Sequence, residues 1–348
     1  MPRAGGGASN FPFSEFTFTS AGKTGRLGPN FDELKSSYSS QIWASNPSYF
    51  SQGRTTGYQV FTIPKSGIYE FEVAGARGQD GTSSEATHGR GAIIKARIAM
   101  IGGEKIEMVV GQVPGTGGSL SSSGAAGGGG GSFVVYQGTT NPIIVAGGGG
   151  GRYGSATTQT IRNGQTRRTP YFTAYSPASY GTNPPIGHGG SGYHAGGGGG
   201  LLSSGTGYPG YSYTTASGST ADPTNPPFYT HGSGFNGGGD LAGYYSIGGN
   251  SSGYTTVEGG FGGGGGGHSG NNAAGGGGGY SGGHGGQTSY GGSYQDGVGG
   301  GSFIISSATN ISTSDGYYDG STTFNSSTIS NLNSFNQNSG YIKVTFIY

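Results

Sequence analysis

Apolar and polar positions alternate with a period of two in several short stretches, and strands are the element that pattern predicts. Residues 11–19 place Phe11 and Phe13, then after one phase slip Phe16 and Phe18, against polar neighbours. Residues 58–63 read as a strand stopped by Pro64. Lys65, Ser66 and Gly67 follow as a turn, and Tyr69, Phe71 and Val73 then alternate with Ile68, Glu70 and Glu72. Residues 92–98 and 105–110 are predicted to pair as a hairpin around Ile101, Gly102, Gly103 and Glu104. Residues 132–136 and 142–145 form a second pair around Gly138. Helical periodicity is confined to one turn at Asp32, Glu33, Leu34 and Lys35. Strand patterns return at 302–305 and at 341–348. Short strands at this spacing predict an all-β, jelly-roll type β-sandwich. A strand at the far C-terminus needs a partner sheet, and the large one lies near the N-terminus. The region between is therefore predicted to be an insertion into the sandwich.

That region has no side-chain pattern to read, because it is built on glycine. Glycine fills 84 of 348 positions, against about 7% on average. Uninterrupted runs stand at 127–131, 147–151, 196–200, 262–267 and 275–279, centred near Gly129, Gly149, Gly198, Gly264 and Gly277. The segments between them vary, so the run is the repeat and the loop is not. An oligoglycine segment buries no side chain and loses the most backbone entropy on ordering. Its ordered form is a left-handed threefold helix rising about 3.1 Å per residue, with every N–H and C=O pointing sideways. Without Cβ atoms the axes can approach closely and bond to several neighbours. The runs are thus predicted to be a bundle of polyglycine-II helices, each about 15–19 Å long. The chain divides into an N-terminal arm (1–14), the first part of the sandwich (15–146), the glycine bundle with variable loops (147–298) and returning strands (299–348).

Aromatics at 12% are too many for an entropic linker. Charge is sparse: 16 basic and 15 acidic residues leave a net +1, with no basic run to track phosphates. Nucleic acid is not an expected partner. Arg162, Arg167 and Arg168 are read as a solvated loop. Cysteine is absent, and neither an apolar leader nor an 18-residue apolar stretch occurs. These features predict folding in a cytoplasm, with no membrane insertion and any extracellular role reached by another exit, such as lysis.

Candidate chemistry is thin. GxGxxG patterns recur, as they must in such a composition, but none joins a long buried strand to a long helix. His188 and His194 are the closest approach to a metal pair among His88, His188, His194, His231, His268 and His284. With no Cys or carboxylate beside them, loop histidines capping backbone are the expected role. Asp222, Asp240, Glu258, Asp296, Asp315 and Asp319 show no glycosidase-like spacing, and Asp315 and Asp319 suggest Asx turns rather than calcium. No enzyme activity, cofactor or metal is expected. What remains is aromatic: Tyr171, Phe172, Tyr175 and Tyr180 in one loop, then Tyr208, Tyr211, Tyr213, Phe228 and Tyr229 in the next. Tyr mixed with Ser, Gly and Asn is the composition of binding loops. The same rings could instead coat the sides of the bundle.

The stretch Phe16, Thr17, Phe18, Thr19, Ser20, Ala21, Gly22, Lys23, Thr24, Gly25, Arg26, Leu27, Gly28, Pro29 resembles the extracellular glycine-rich region of the anaplastic lymphoma and leukocyte tyrosine kinase receptors. So do Gly67, Ile68, Tyr69, Glu70, Phe71, Glu72, Val73, Ala74, Gly75, Ala76, then Ile106, Glu107, Met108, Val109, Val110, Gly111, Gln112. Residues 127–133 and 144–152, the later glycine runs and Gly340, Tyr341, Ile342, Lys343, Val344 complete the resemblance, in order and over most of the chain. It implies a tumour-necrosis-factor-like sandwich with an inserted polyglycine-helix bundle, and a fold type that often trimerises. Function transfers less well, since the chain has no kinase, no span and no Cys. By type, it resembles the polyglycine adhesins at the tips of T-even phage tail fibres. The expectation is a virion structural protein (fibre, tail or capsid surface), contacting other virion proteins and a host receptor or glycan. The alternatives are a secreted or cell-surface ligand-binding module and a polysaccharide-degrading virion enzyme.

Overall fold

The computed structural model describes residues 13–79, 88–115, 126–153, 159–170, 185–192, 195–206, 232–236, 246, 248, 257–268, 273–286, 296–315 and 329–348. The strands are β1 (Glu15–Phe18), β2 (Phe50–Gln52), β3 (Tyr58–Thr62), β4 (Gly67–Ala74), β5 (Ile93–Met100), β6 (Lys105–Val109), β7 (Ser132–Tyr136), β8 (Pro142–Ala146), β9 (Phe303–Ile304), β10 (Thr309–Thr313), β11 (Ser330–Asn331) and β12 (Tyr341–Phe346). They form two six-stranded sheets, ordered β1-β12-β4-β5-β10-β11 and β2-β3-β6-β7-β8-β9. The described chain is therefore all-β in class, with helix limited to α1 (Phe31–Ser37) and one turn, α2 (Gln159–Arg162). The C-terminal strand finds its sheet as expected: β12 lies between β1 and β4.

Alternation decides which face of the first sheet is wet. Tyr69, Phe71, Val73, Ile94, Ala96, Ile98, Ile342 and Val344 point inward and are buried. Their neighbours Glu70, Lys95, Arg97, Glu15 and Lys343 pair across strands on the outer face, with Lys95–Glu70 at 2.9 Å, Arg97–Glu70 at 3.1 Å and Lys343–Glu15 at 3.0 Å. The second sheet is buried on both faces. Phe61, Ile106, Met108, Val134 and Ile144 meet the first sheet. Tyr58, Val109, Phe133, Val135 and Val145 pack instead on Leu201, Phe235 and Phe261 from the glycine-rich insertion. The insertion thus supplies the layer that hides an otherwise apolar sheet face, each fully buried large side chain contributing about 1.5–3 kcal/mol.

Two local expectations need correction. Strands β5 and β6 are not a hairpin: β5 pairs with β4 and β10, and β6 with β3 and β7, in opposite sheets. The Gly102–Gly103 turn, with Gly103 at φ +85°, carries the chain across the sandwich. Its bonds go to Ile63 of the neighbouring crossing, through Gly103 N–H to Ile63 O and Ile63 N–H to Glu104 O, both 2.8 Å. The helical turn at 32–35 is the middle of the longer α1. Asn30 accepts from Glu33 N–H and the Glu33 carboxylate accepts from Asn30 N–H, closing a capping box.

Candidate functional site: the glycine scaffold and its loop bases

The glycine runs continue directly from strand ends. Gly147 follows β8, Gly131 precedes β7, and Gly301 lies just before β9. None of the five runs is helix or strand by its backbone bonding; apart from the local bonds Gly264 N–H to Gly260 O and Gly200 N–H to Ser203 O (both 2.9 Å), their hydrogen bonds go to other segments. Residues 275–279 sit at the centre. Gly275 N–H donates to Ala126 O (2.8 Å), and Gly278 N–H, three residues on, donates to Gly129 O (3.0 Å). Gly276 and Gly279 donate to Gly196 O (3.0 Å) and Gly199 O (3.2 Å), and Gly277 donates to Val298 O (2.9 Å). The carbonyls repeat the pattern: Gly275 and Gly278 accept from Gly151 and Gly148, Gly276 from Gly265, and Gly277 from Gly283. One run is thereby bonded to six other segments, and its partners repeat every third residue. The same step of three recurs where Gly128 and Gly131 donate to Gly265 and Gly262, and where Gly297 and Gly300 donate to Gly151 and Gly148. Buried backbone polar groups need such partners, and here other backbone supplies them.

Close approach is what requires glycine. A Cβ on Gly129, Gly149, Gly198, Gly264 or Gly277 would fall inside contact distance of the carbonyls of Arg77, Gly89, Gly277, Gly128 and Gly148, respectively. At Gly262 and Gly263 the reason is different: φ of +97° and +85° turns the chain out of Phe261 into the run. The lattice also takes in segments that are not pure runs. Ala76 N–H donates to Gly130 O (2.9 Å), while Gly149 N–H donates to Ala76 O (2.8 Å).

The bundle has two distinct ends. Ala126, Gly151 and Gly297 are the run termini farthest from β7, β8 and β9, and they are cross-linked at one level through Gly275, to which Gln79, Arg152 and Gly286 are tied by adjacent bonds. Described residues flanking four variable segments stand at or near that end. Gly78 N–H bonds Gly89 O at the base of 80–87 (2.8 Å). Gly205 N–H bonds Gly232 O between the flanks of 207–231 (2.9 Å), His268 and Ala273, on either side of 269–272, bond each other, and Gly286 and Gly297 flank 287–295. The aromatic candidates Tyr208, Tyr211, Tyr213, Phe228 and Tyr229 fall within 207–231, outside the described residues. Tyr171, Phe172, Tyr175 and Tyr180 also lie outside them, in a segment whose flanks are at the strand end. There Ser302 N–H donates to Arg167 O (2.6 Å) and Leu202 N–H to Gly187 O (2.8 Å).

Charged residues clamp this scaffold. Arg162 is not in a solvated loop: it is 1% exposed and bonds Asp296 Oδ2 at 2.7 Å. Asp296 Oδ1 accepts from Tyr153 N–H (2.7 Å), and burial pushes its carboxyl above the usual range against the pull of Arg162. On the side of the sandwich, Arg54 donates through Nε (3.0 Å) and Nη2 (2.6 Å) to Glu107 Oε2, and its backbone N–H reaches Glu107 Oε1 (2.7 Å). Its Nη1 bonds Asn236 Oδ1 (2.7 Å) and its plane lies over the Phe235 ring at 4.7 Å, riveting insertion to sheet. Sequence reading missed this cluster because its members are far apart in the chain.

Of the histidines, His284 caps backbone. Ser191 N–H donates to His284 Nδ1 (3.2 Å), and burial holds that imidazole below its ordinary value. His268 is likewise lowered by burial, and His188 Nδ1 bonds Ser203 Oγ at 3.1 Å. His194 and His231 lie outside the described residues. Among the described residues, no three His, Cys, Asp or Glu side chains are grouped to hold a metal, and no helix is long and apolar enough to cross a membrane. Asp315 accepts from Thr166 Oγ1 (2.7 Å) and Thr313 Oγ1 (3.4 Å); Asp319 lies outside the described residues. No protein-family profile and no curated protein matches the chain.

Proposed function

We propose that the glycine segments are left-handed threefold helices packed as a polyglycine-II lattice, and that the chain is a display protein of a virus particle: a fibre, tail or capsid-surface component. Its sandwich, of jelly-roll type, is the mount, the lattice is the stem, and variable loops at the far end meet a host receptor or glycan. The observation that carries this reading is the polarity of the bundle. One end grows from strands β7, β8 and β9, and flanks of four variable segments stand at or near the other, beside a cross-linked level. The partner period of three supports the helix type, since a threefold helix repeats its lateral direction every third residue. A stem held by backbone bonds leaves most loop sequence free to vary, because its packing calls on few side chains outside the runs, Arg162 and its partner Asp296 among them. The role needs no catalytic group or cofactor, and placement in a virion draws on likeness in type to phage adhesins.

Mass spectrometry of purified particles is expected to find the chain, and exchange of residues 207–231 between strains to shift host range. Absence from particles would overturn the placement; unchanged host range would remove that loop from recognition.

A further inference from the structure

A depression of about 780 Å³ opens on the side of the sandwich, lined by Gln52, Gly53, Arg54, Glu107, the β7–β8 turn from Gln137 to Asn141, and Asn236. From it we infer a second binding site, for an uncharged saccharide, that is separate from the loop bases. The volume lies within the range of small-ligand sites, but the lining is of an unusual kind. Its two charged groups are tied to each other: Glu107 is 3% exposed and takes three donations from Arg54. The remaining polar groups are carboxamides and hydroxyls. Gln52, Gln137, Thr140 and Asn141 are exposed, and among the described residues their side chains enter no hydrogen bond. Each carboxamide offers a donor pair and an acceptor, the complement of a sugar hydroxyl, which is both. A phosphate, sulfate or carboxylate ligand would need a second cation, and among the described residues no other Lys or Arg lines the depression.

The frame is rigid before any ligand arrives. Thr139 Oγ1 donates to Tyr136 O (2.8 Å) and accepts from Asn141 N–H (3.1 Å), so the turn is braced from within. Gly138 provides the left-handed corner at φ +71°, and Gln137 N–H donates to Lys105 O (3.0 Å) on the adjacent strand. On the opposite wall the guanidinium fixes the Asn236 amide, because only the oxygen can accept from Nη1. The backbone is thus held beforehand, and the ordering cost of binding falls on the exposed side chains, at about 0.5–1.5 kcal/mol each.

The test uses the full chain, labelled with ¹⁵N and titrated with maltose, lactose, mannobiose, N,N′-diacetylchitobiose and sialyllactose. At least one neutral sugar is expected to shift the backbone amides of Gln137, Gly138 and Asn141. The double variant Gln137→Ala/Asn141→Ala, on an exposed turn, is expected to bind it about tenfold more weakly while Trp43 fluorescence stays native. No shift at this turn with any neutral sugar, unchanged affinity in the double variant, or preference for sialyllactose would each overturn the assignment. Shifts confined to glycines of the bundle would point to the loop end instead and count against it equally.

Discussion

Replacing Gly277 by Ala adds one methyl group at the centre of the lattice. Its φ is not in the left-handed region, so the whole effect is one of space. The new Cβ would lie 2.8 Å from the Gly148 carbonyl carbon, 2.9 Å from Gly300 N, and closer still to Gly148 O. Ordinary contacts need about 3.5–4.0 Å, so two neighbouring segments must retreat by roughly 1 Å. Rigid backbone, not a flexible side chain, has to move. The bonds at stake include Gly148 N–H to Gly278 O (2.8 Å), Gly300 N–H to Gly148 O (2.9 Å) and Gly277 N–H to Val298 O (2.9 Å). Overpacking costs about 1–3 kcal/mol, and each buried backbone group left unpaired costs about 1–3 kcal/mol more. Alanine recovers about 0.4–1 kcal/mol by restricting the unfolded chain. With two groups left unpaired the expected net loss is about 2–9 kcal/mol, a large part of a typical total of about 5–15 kcal/mol. Gly138→Ala is the control. A Cβ there meets nothing within 4 Å, so only its positive φ is penalised, by about 1–2 kcal/mol. Urea unfolding followed by circular dichroism, beside Trp43 fluorescence for the sandwich core, separates the two variants. A Gly277→Ala protein as stable as the parent, or no worse than Gly138→Ala, would refute close packing at this run.

Arg162→Met should cost about 3–5 kcal/mol in the same assay, because it strands the buried Asp296 carboxylate, and Arg162→Met/Asp296→Leu should recover most of that loss. Burial lowers the pKa of His284 and His268, so the unfolded chain takes up protons first as pH falls. Stability is expected to be full above about pH 6.5 and to decline below it, at up to about 1.4 kcal/mol per pH unit for each histidine; His284→Gln should flatten the decline in pH-dependent melting. Asn30→Ala removes the cap of α1 and should cost about 1 kcal/mol by urea titration.

The strands readable from sequence are those with one wet face. In β4, Glu70 and Glu72 alternate with Tyr69, Phe71 and Val73, and the pattern names the inward face correctly. Strands β10 and β11 gave no signal, since their residues are Thr, Ser and Asn around the single apolar Ile311. Strand β2 is three residues long, too short to show a period. The hairpin expected at Gly102–Gly103 failed because a glycine turn looks the same whether the chain returns within its sheet or crosses to the facing one; only tertiary packing distinguishes them. The Asn30–Glu33 capping box was readable and would have lengthened the helix.

At the candidate site, the five uninterrupted runs were legible because repeated glycine has few ordered uses. Segments such as Ala76 and Arg77 were not, because a side chain is tolerated wherever its Cβ faces out of the lattice, and outward direction is not written locally. Arg162 looked solvated for the same reason: its partner Asp296 lies 134 residues away.

Amide hydrogen exchange of residues 275–279, read by NMR against the strand amides of β4, tests the lattice most directly. Each of these five N–H groups is bonded to a carbonyl of one of three neighbouring segments, and all five residues are buried. They should exchange as slowly as β4, through global unfolding. Exchange at the rate of an open chain, with β4 still protected, would contradict the account.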